Sequence, residues 1–155
     1  MDLDRARIER AYLTRLSGAH PDLGGDAVSA SDLNEARDVL VDPERRANLL
    51  LELAGGPGAS ECRDLPDGFL MEMMELRQRI EEEVEADPES ARATWEEWGR
   101  GKREAHAAEV GRMLSEGAGG ADLVAVRVEL NAWRYIERLI EQLDPEYDPA
   151  RVEGR

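Results

Sequence analysis

Cysteine, histidine and aromatic side chains are scarce in this 155-residue chain, which holds one Cys, two His, one Phe, three Trp and three Tyr. A single thiol, Cys62, excludes an internal disulfide and fits a reducing compartment. Two histidines without metal-ligand spacing offer no motif for zinc, and a lone cysteine cannot hold an iron–sulfur cluster within one chain. With aromatics at 5%, packing falls to Leu, Ile, Val, Met and Ala, and a hydrophobic content of 41% suffices for a core. No apolar run approaches the roughly 18 residues of a membrane-spanning helix. The start Met1-Asp2-Leu3-Asp4 lacks the cationic flank and apolar centre of a secretory signal. The expected location is cytoplasmic, with no membrane partner and no cofactor.

Cations are also few: 20 Lys and Arg stand against 35 Asp and Glu, for a net charge of −15. A phosphate-binding surface needs clustered cations, so nucleic acid is not an expected partner. The charge is uneven. Residues 5–16 carry four arginines (Arg5, Arg7, Arg10, Arg15) against one acid, Glu9, whereas Glu72 to Glu89 is mostly acidic. An isolated basic helix on an acidic chain is either a docking surface for an acidic partner or an ordinary solvated face.

The pattern of apolar residues is helical throughout, and neither β-branched alternation nor an internal repeat appears. Asp4 to Ser17 reads as one helix with Ile8, Tyr12 and Leu16 as its stripe. A second, capped by Ser31 or a neighbour, carries Leu33, Ala36 and Leu40 and runs to about Val41. Asp42-Pro43 restarts a short helix to Leu53, which Ala54-Gly55-Gly56-Pro57-Gly58 ends. Three longer helices follow, over about Gly68–Ala86, Pro88–Ser115 and Ala121–Leu143, with Gly117-Ala118-Gly119-Gly120 between the last two. Such short connections predict antiparallel neighbours in a three-helix bundle. The expected division is 1–54, a linker over 55–64, the bundle over 65–146 and a tail over 147–155.

Two features carry functional information. His20-Pro21-Asp22 lies in the loop after the basic helix, followed by the turn residues Leu23-Gly24-Gly25-Asp26. Pro fixes the turn and Asp22 offers a charge, so a rigid contact loop is the expected role rather than a catalytic base. Helix, His-Pro-Asp loop, helix resembles the J-domain of DnaJ-type co-chaperones. The second feature is the run from Phe69 to Arg77. At 100° per residue Phe69, Met73, Leu76, Ile80 and Val84 form a core arc. Met71 and Met74 project to the opposite side with Glu75, Gln78 and Glu82, and Leu70 sits between the faces. That far side is an exposed interaction surface, a contact covered by the N-terminal unit, or plain solvated helix; the pattern leaves the three open.

Elsewhere, His106 reads as a packed or boundary histidine near Trp95, Trp98 and Met113. Gly99-Arg100-Gly101-Lys102 lacks phosphate-loop spacing and reads as a soft point in its helix. Glu81-Glu82-Glu83 reads as a solvated face, and Trp95, Trp98 and Trp133 as bundle core. A metal-dependent hydrolase built on the Glu-rich helix would need metal-spaced ligands that the chain does not have.

Taken together the chain resembles the HscB family, bacterial J-protein co-chaperones of iron–sulfur cluster assembly. The landmarks are His20-Pro21-Asp22; Asn34-Glu35-Ala36 leading into Asp42-Pro43 and Arg46-Ala47; Leu49-Leu50-Leu51; and Phe69-Leu70-Met71-Glu72 through Glu75-Leu76-Arg77. The resemblance implies an all-α, non-enzymatic protein with an N-terminal J-domain-like hairpin and a C-terminal three-helix bundle. It implies two partners, a DnaK/HscA-type chaperone ATPase and an IscU-type iron–sulfur scaffold protein. The chaperone contact maps to His20, Pro21 and Asp22 with Arg7, Arg10 and Arg15. The scaffold contact maps to Leu70, Met71, Met74, Glu75, Gln78, Glu82 and Tyr135.

The chain departs from the family pattern in places. It begins after the aromatic-containing first J-domain helix, which implies either a misassigned start or a shortened J-domain. In the second case the expected role is a client-binding adaptor with weakened or lost chaperone coupling. Leu23 stands where Lys often follows the His-Pro-Asp motif, and Gln78 where an acid is common. The zinc-binding cysteines of eukaryotic members are missing.

Overall fold

The computed structural model describes residues 3–18, 29–116 and 122–143. Among these residues all regular secondary structure is helical: α1 (Arg5–Gly18), α2 (Ala30–Val41), α3 (Pro43–Leu53), α4 (Phe69–Ala86), α5 (Pro88–Glu116) and α6 (Leu123–Glu141). The Gly117–Gly120 connection and the His20-Pro21-Asp22 loop lie outside the described residues.

Local chemistry sets the boundaries. Ser29, rather than Ser31, caps α2: its Oγ accepts from Asp32 N at 3.1 Å, and the Asp32 carboxylate accepts from Ser29 N at 3.0 Å. Asp42 ends α2 and begins α3, accepting from Arg45 N ahead of Pro43. At the end of α3, Gly56 N donates to Leu51 O and Gly55 N to Glu52 O, with Gly55 left-handed at φ 80°. Asp122 caps α6 through Val124 N and Ala125 N, so that helix starts at Leu123 rather than Ala121.

Helix α5 is about 43 Å long at the usual rise and α6 lies along it. Gly99 meets Ile140, Arg103 meets Glu137, and His106 meets Glu129, so α6 descends as α5 ascends and the pair is antiparallel. One core joins the start of α5 to α4 and the end of α6 through Phe69, Met73, Ile80, Trp95, Ile136 and Leu139. The other joins the far half of α5 to the start of α6, and it also contains Ala47 and Leu51 of α3. The bundle therefore has a fourth member: α3 packs on α5 and α6 beyond the three helices expected. Sandwiched between α4 and α3, α6 needs apolar residues over a wide arc. Ala132, Ile136 and Leu139 are accordingly buried as well as Val126, Leu130 and Trp133.

The Gly99 stretch is not a soft point, because α5 is unbroken from Pro88 to Glu116. Gly99 is buried where a Cβ would lie 2.5 Å from Ile140 Cδ1, so its missing side chain lets two helices approach. Trp95 and Trp133 are core, and Trp98 is half-buried beneath Lys102. His106 is a boundary residue: its Nδ1 lies 2.6 Å from Glu129 Oε1 and its ring stacks on Trp133. Glu83 departs from a plain solvated face, since its carboxylate accepts from Trp95 Nε1 at 2.9 Å.

Candidate functional site

The α1–α2 hairpin is held by a small apolar contact and a polar clasp. Ile8 and Leu33 are buried, while Ala36, expected in the same stripe, is exposed. Tyr12 Oη donates to Asn34 Oδ1 at 2.6 Å, and the Arg37 guanidinium lies 5.5 Å from the Tyr12 ring centre. Arg37 also donates through Nε to both Glu9 oxygens, at 3.0 and 3.1 Å, and these bonds hold the Glu9 carboxyl below its ordinary range. The acid of α1 is thus engaged by α2 instead of the neighbouring arginines. Arg7, Arg10 and Arg15 are exposed and have no ion-pair partner among the described residues. His20, Pro21 and Asp22, which follow this helix, fall outside the described residues.

The second region is the outer side of α4. Met73 is 2% exposed, whereas Leu70 is 52%, Met71 65% and Met74 66% exposed. Glu75, Gln78 and Glu82 are exposed beside them, with Gln78 Nε2 donating to Glu82 Oε1 at 2.9 Å. Of the alternatives left open by the sequence, a contact with the N-terminal unit is absent among the described residues, because α3 packs on α5 and α6 instead. An exposed interaction surface and a plain solvated face remain, and both are served by an apolar ridge with an acidic rim on a helix whose opposite face is spent on the core. Such a ridge can accept an apolar segment of a partner, and unbranched methionines adapt to its shape.

Tyr135 reaches this region from α6. Its ring stands edge-on to Phe69, with centroids 5.7 Å apart, and it is half-buried. Beside it a pocket of about 210 Å³ opens between α4 and α6, lined by Met73, Arg77, Tyr135, Arg138, Leu139 and Gln142. Arg77 falls one heptad after Leu70, about 20° around the helix from it, so pocket and ridge share a border. Sequence reasoning gave no role to Arg77, Arg138 or Gln142. The heptad spacing placed Arg77 beside Leu70, but nothing local to the chain brings α6 to it.

A network fixes α3, and with it the base of the hairpin, to the bundle. Arg127 donates to Asn48 Oδ1 at 2.6 Å, and Arg134 lies 3.5 Å from Glu44. Asn131 Nδ2 donates to the backbone oxygens of Cys62 and Asp64, pinning the segment between α3 and α4. No group of three or more His, Cys, Asp or Glu is arranged to hold a metal among the described residues. None of the described helices is long and apolar enough to cross a membrane.

Residues 65–144 match the family described as the HSCB C-terminal oligomerisation domain. The chain is similar to the Co-chaperone protein HscB homolog of Burkholderia mallei (strain SAVP1), 35% identical over 135 residues, covering 81% of this chain and 77% of the relative. The homolog from Cupriavidus taiwanensis is 38% identical over 134 residues, covering 77% of this chain and 76% of the relative. That from Burkholderia multivorans is 32% identical over 151 residues, covering 91% and 84%. No solved structure matches the chain.

Proposed function

The chain belongs to the HscB family of bacterial co-chaperones, which are not enzymes, and from that premise we propose a two-ended adaptor in iron–sulfur cluster assembly. The outer side of α4, through Leu70, Met71, Met74, Glu75, Gln78 and Glu82 with Tyr135 alongside, holds an IscU-type scaffold protein. His20, Pro21 and Asp22, with Arg7, Arg10 and Arg15 of α1, engage a DnaK/HscA-type chaperone and stimulate its ATP hydrolysis. Holding the scaffold beside the chaperone raises the effective concentration of one for the other, and cluster transfer is promoted without any covalent step on this chain. The observation that carries the reading is the exposure of Leu70, Met71 and Met74 on a helix whose other face is buried. The N-terminal unit over 1–54 and the bundle over 65–146 are the two functional ends in this reading.

Steady-state ATPase of the chaperone, measured with this protein and the scaffold of the same organism, tests it. Stimulation by the wild type that is lost in His20→Gln supports the chaperone end. Scaffold capture that is lost in Met74→Asp, with the helical signal unchanged, supports the other. A wild-type chain that captures the scaffold but gives no stimulation is a client-binding adaptor without chaperone coupling. A chain that captures no scaffold sinks the proposal.

A further inference from the structure

The pocket beside the ridge differs from it in charge. The ridge is rimmed by Glu75 and Glu82, but the pocket is walled by Arg77 from α4 and Arg138 from α6, and among the described residues no carboxylate lines it. Its floor is apolar, formed by the buried Met73 and Leu139, and Tyr135 closes one side. On a chain of net charge −15, two guanidiniums converging from separate helices form a local reversal of the prevailing field. Arg77 is lightly engaged, through one Nε bond of 3.1 Å to Glu81 in an exposed pair one helical turn on, which a competing carboxylate can exchange. Arg138 has no ion-pair partner among the described residues.

We infer that this pocket receives an acidic residue that adjoins a large apolar residue on the docked client, an inference that rests on the scaffold-binding reading of α4. A volume of about 210 Å³ suits one such apolar side chain on Met73 and Leu139. The carboxylate next to it then meets Arg77 and Arg138 at the mouth, where planar guanidiniums bind carboxylates by paired hydrogen bonds. The docking surface is therefore bipartite. An acid-rimmed apolar ridge lies next to a cation-walled hole, and a client must present both complementary signs in register. That requirement supplies specificity which an apolar ridge alone does not have.

The test is the affinity of the full chain for an IscU-type scaffold protein, with circular dichroism as a folding control. Arg138→Glu weakens binding about tenfold or more, and its affinity depends less on salt than that of the wild type. Arg77→Glu acts in the same direction. Replacing one surface Asp or Glu of the scaffold by Arg restores binding to the Arg138→Glu protein while weakening it for the wild type. Unchanged affinity in both arginine variants, with binding lost in Met74→Asp, overturns the pocket and leaves the ridge standing. A wild-type chain that binds no scaffold overturns both. Equal loss of thermal stability in Arg138→Glu and on deletion of residues 144–155, with scaffold affinity unaffected by Arg138→Glu, assigns the pocket to the chain's own acidic end and overturns the inference.

Discussion

Arg103 on α5 grips Glu137 on α6 with both ends of its guanidinium, Nε to Oε1 at 2.7 Å and Nη2 to Oε2 at 2.6 Å. Trp133 Nε1 adds a third bond to the same carboxylate at 2.8 Å. Burial alone would raise the Glu137 pKa, but the bonds from Arg103 and Trp133 outweigh it and hold the carboxyl below its ordinary range. Glu137→Gln is expected to lower stability by about 1–3 kcal/mol at pH 7, less than a fully buried pair because Arg103 remains partly exposed. A carboxyl with a depressed folded-state pKa stabilises above its unfolded value and loses that contribution as pH falls through the folded one. The gap between wild type and Glu137→Gln in denaturant titrations should therefore narrow below about pH 4.5.

Glu44 behaves in the opposite sense. Burial raises its pKa and the more distant Arg134 only partly offsets this. Its ionised form opposes folding above the unfolded value, and the penalty disappears as pH drops below it. Glu44→Gln should leave stability at pH 7 unchanged or raise it by under about 1 kcal/mol. Any gain should vanish in acid, and paired melts at neutral and acidic pH check the sign.

Two glycines of α5, two positions apart, should respond to alanine in opposite directions. At Gly99 the new methyl meets Ile140 at 2.5 Å and forces the α5–α6 contact to shift, costing about 1–2 kcal/mol. At Gly101 nothing lies within 4 Å, so alanine only restricts the unfolded chain and improves helix propensity, a gain of about 0.5–1 kcal/mol. Urea midpoints of the two variants decide it.

Adjacent methionines of α4 make a similar contrast. Met73→Ala removes a buried core contact and should cost about 2–4 kcal/mol. Met74→Asp, on the exposed side, should change stability by no more than about 0.5 kcal/mol. A Met74→Asp protein that melts as early as Met73→Ala would mean that the outer side is packed after all.

Much of this architecture was legible in the sequence because its signals are local. Asp42-Pro43 and the glycines after Leu53 mark helix ends through chemistry confined to a few neighbours. The 100° periodicity of α4 separated Met73 from Met71 and Met74 because the rotation between them does not depend on the rest of the fold. Cross-helix relations were not legible. The linker after Leu53 suggested that α3 belonged with the hairpin alone, yet Ala47 and Leu51 lie in a core with Trp133, some eighty residues away along the chain. Gly99 looked weak from its helix propensity and proved to be a contact point, because tertiary packing overrides that preference. The Arg77–Arg138 pocket needs two helices to be seen at all.

The passage of α6 through both cores has a consequence for cooperativity. Its first half completes the core shared with α3, and its second half completes the core shared with α4. Sharing α6 couples the two cores, so the two clusters are expected to unfold as one unit. The amides of α6 then carry the global free energy and exchange slowest, while the α1–α2 hairpin, clasped mainly by surface polar contacts, opens first. A chain built this way is expected to open its hairpin end without loosening the exposed side of α4.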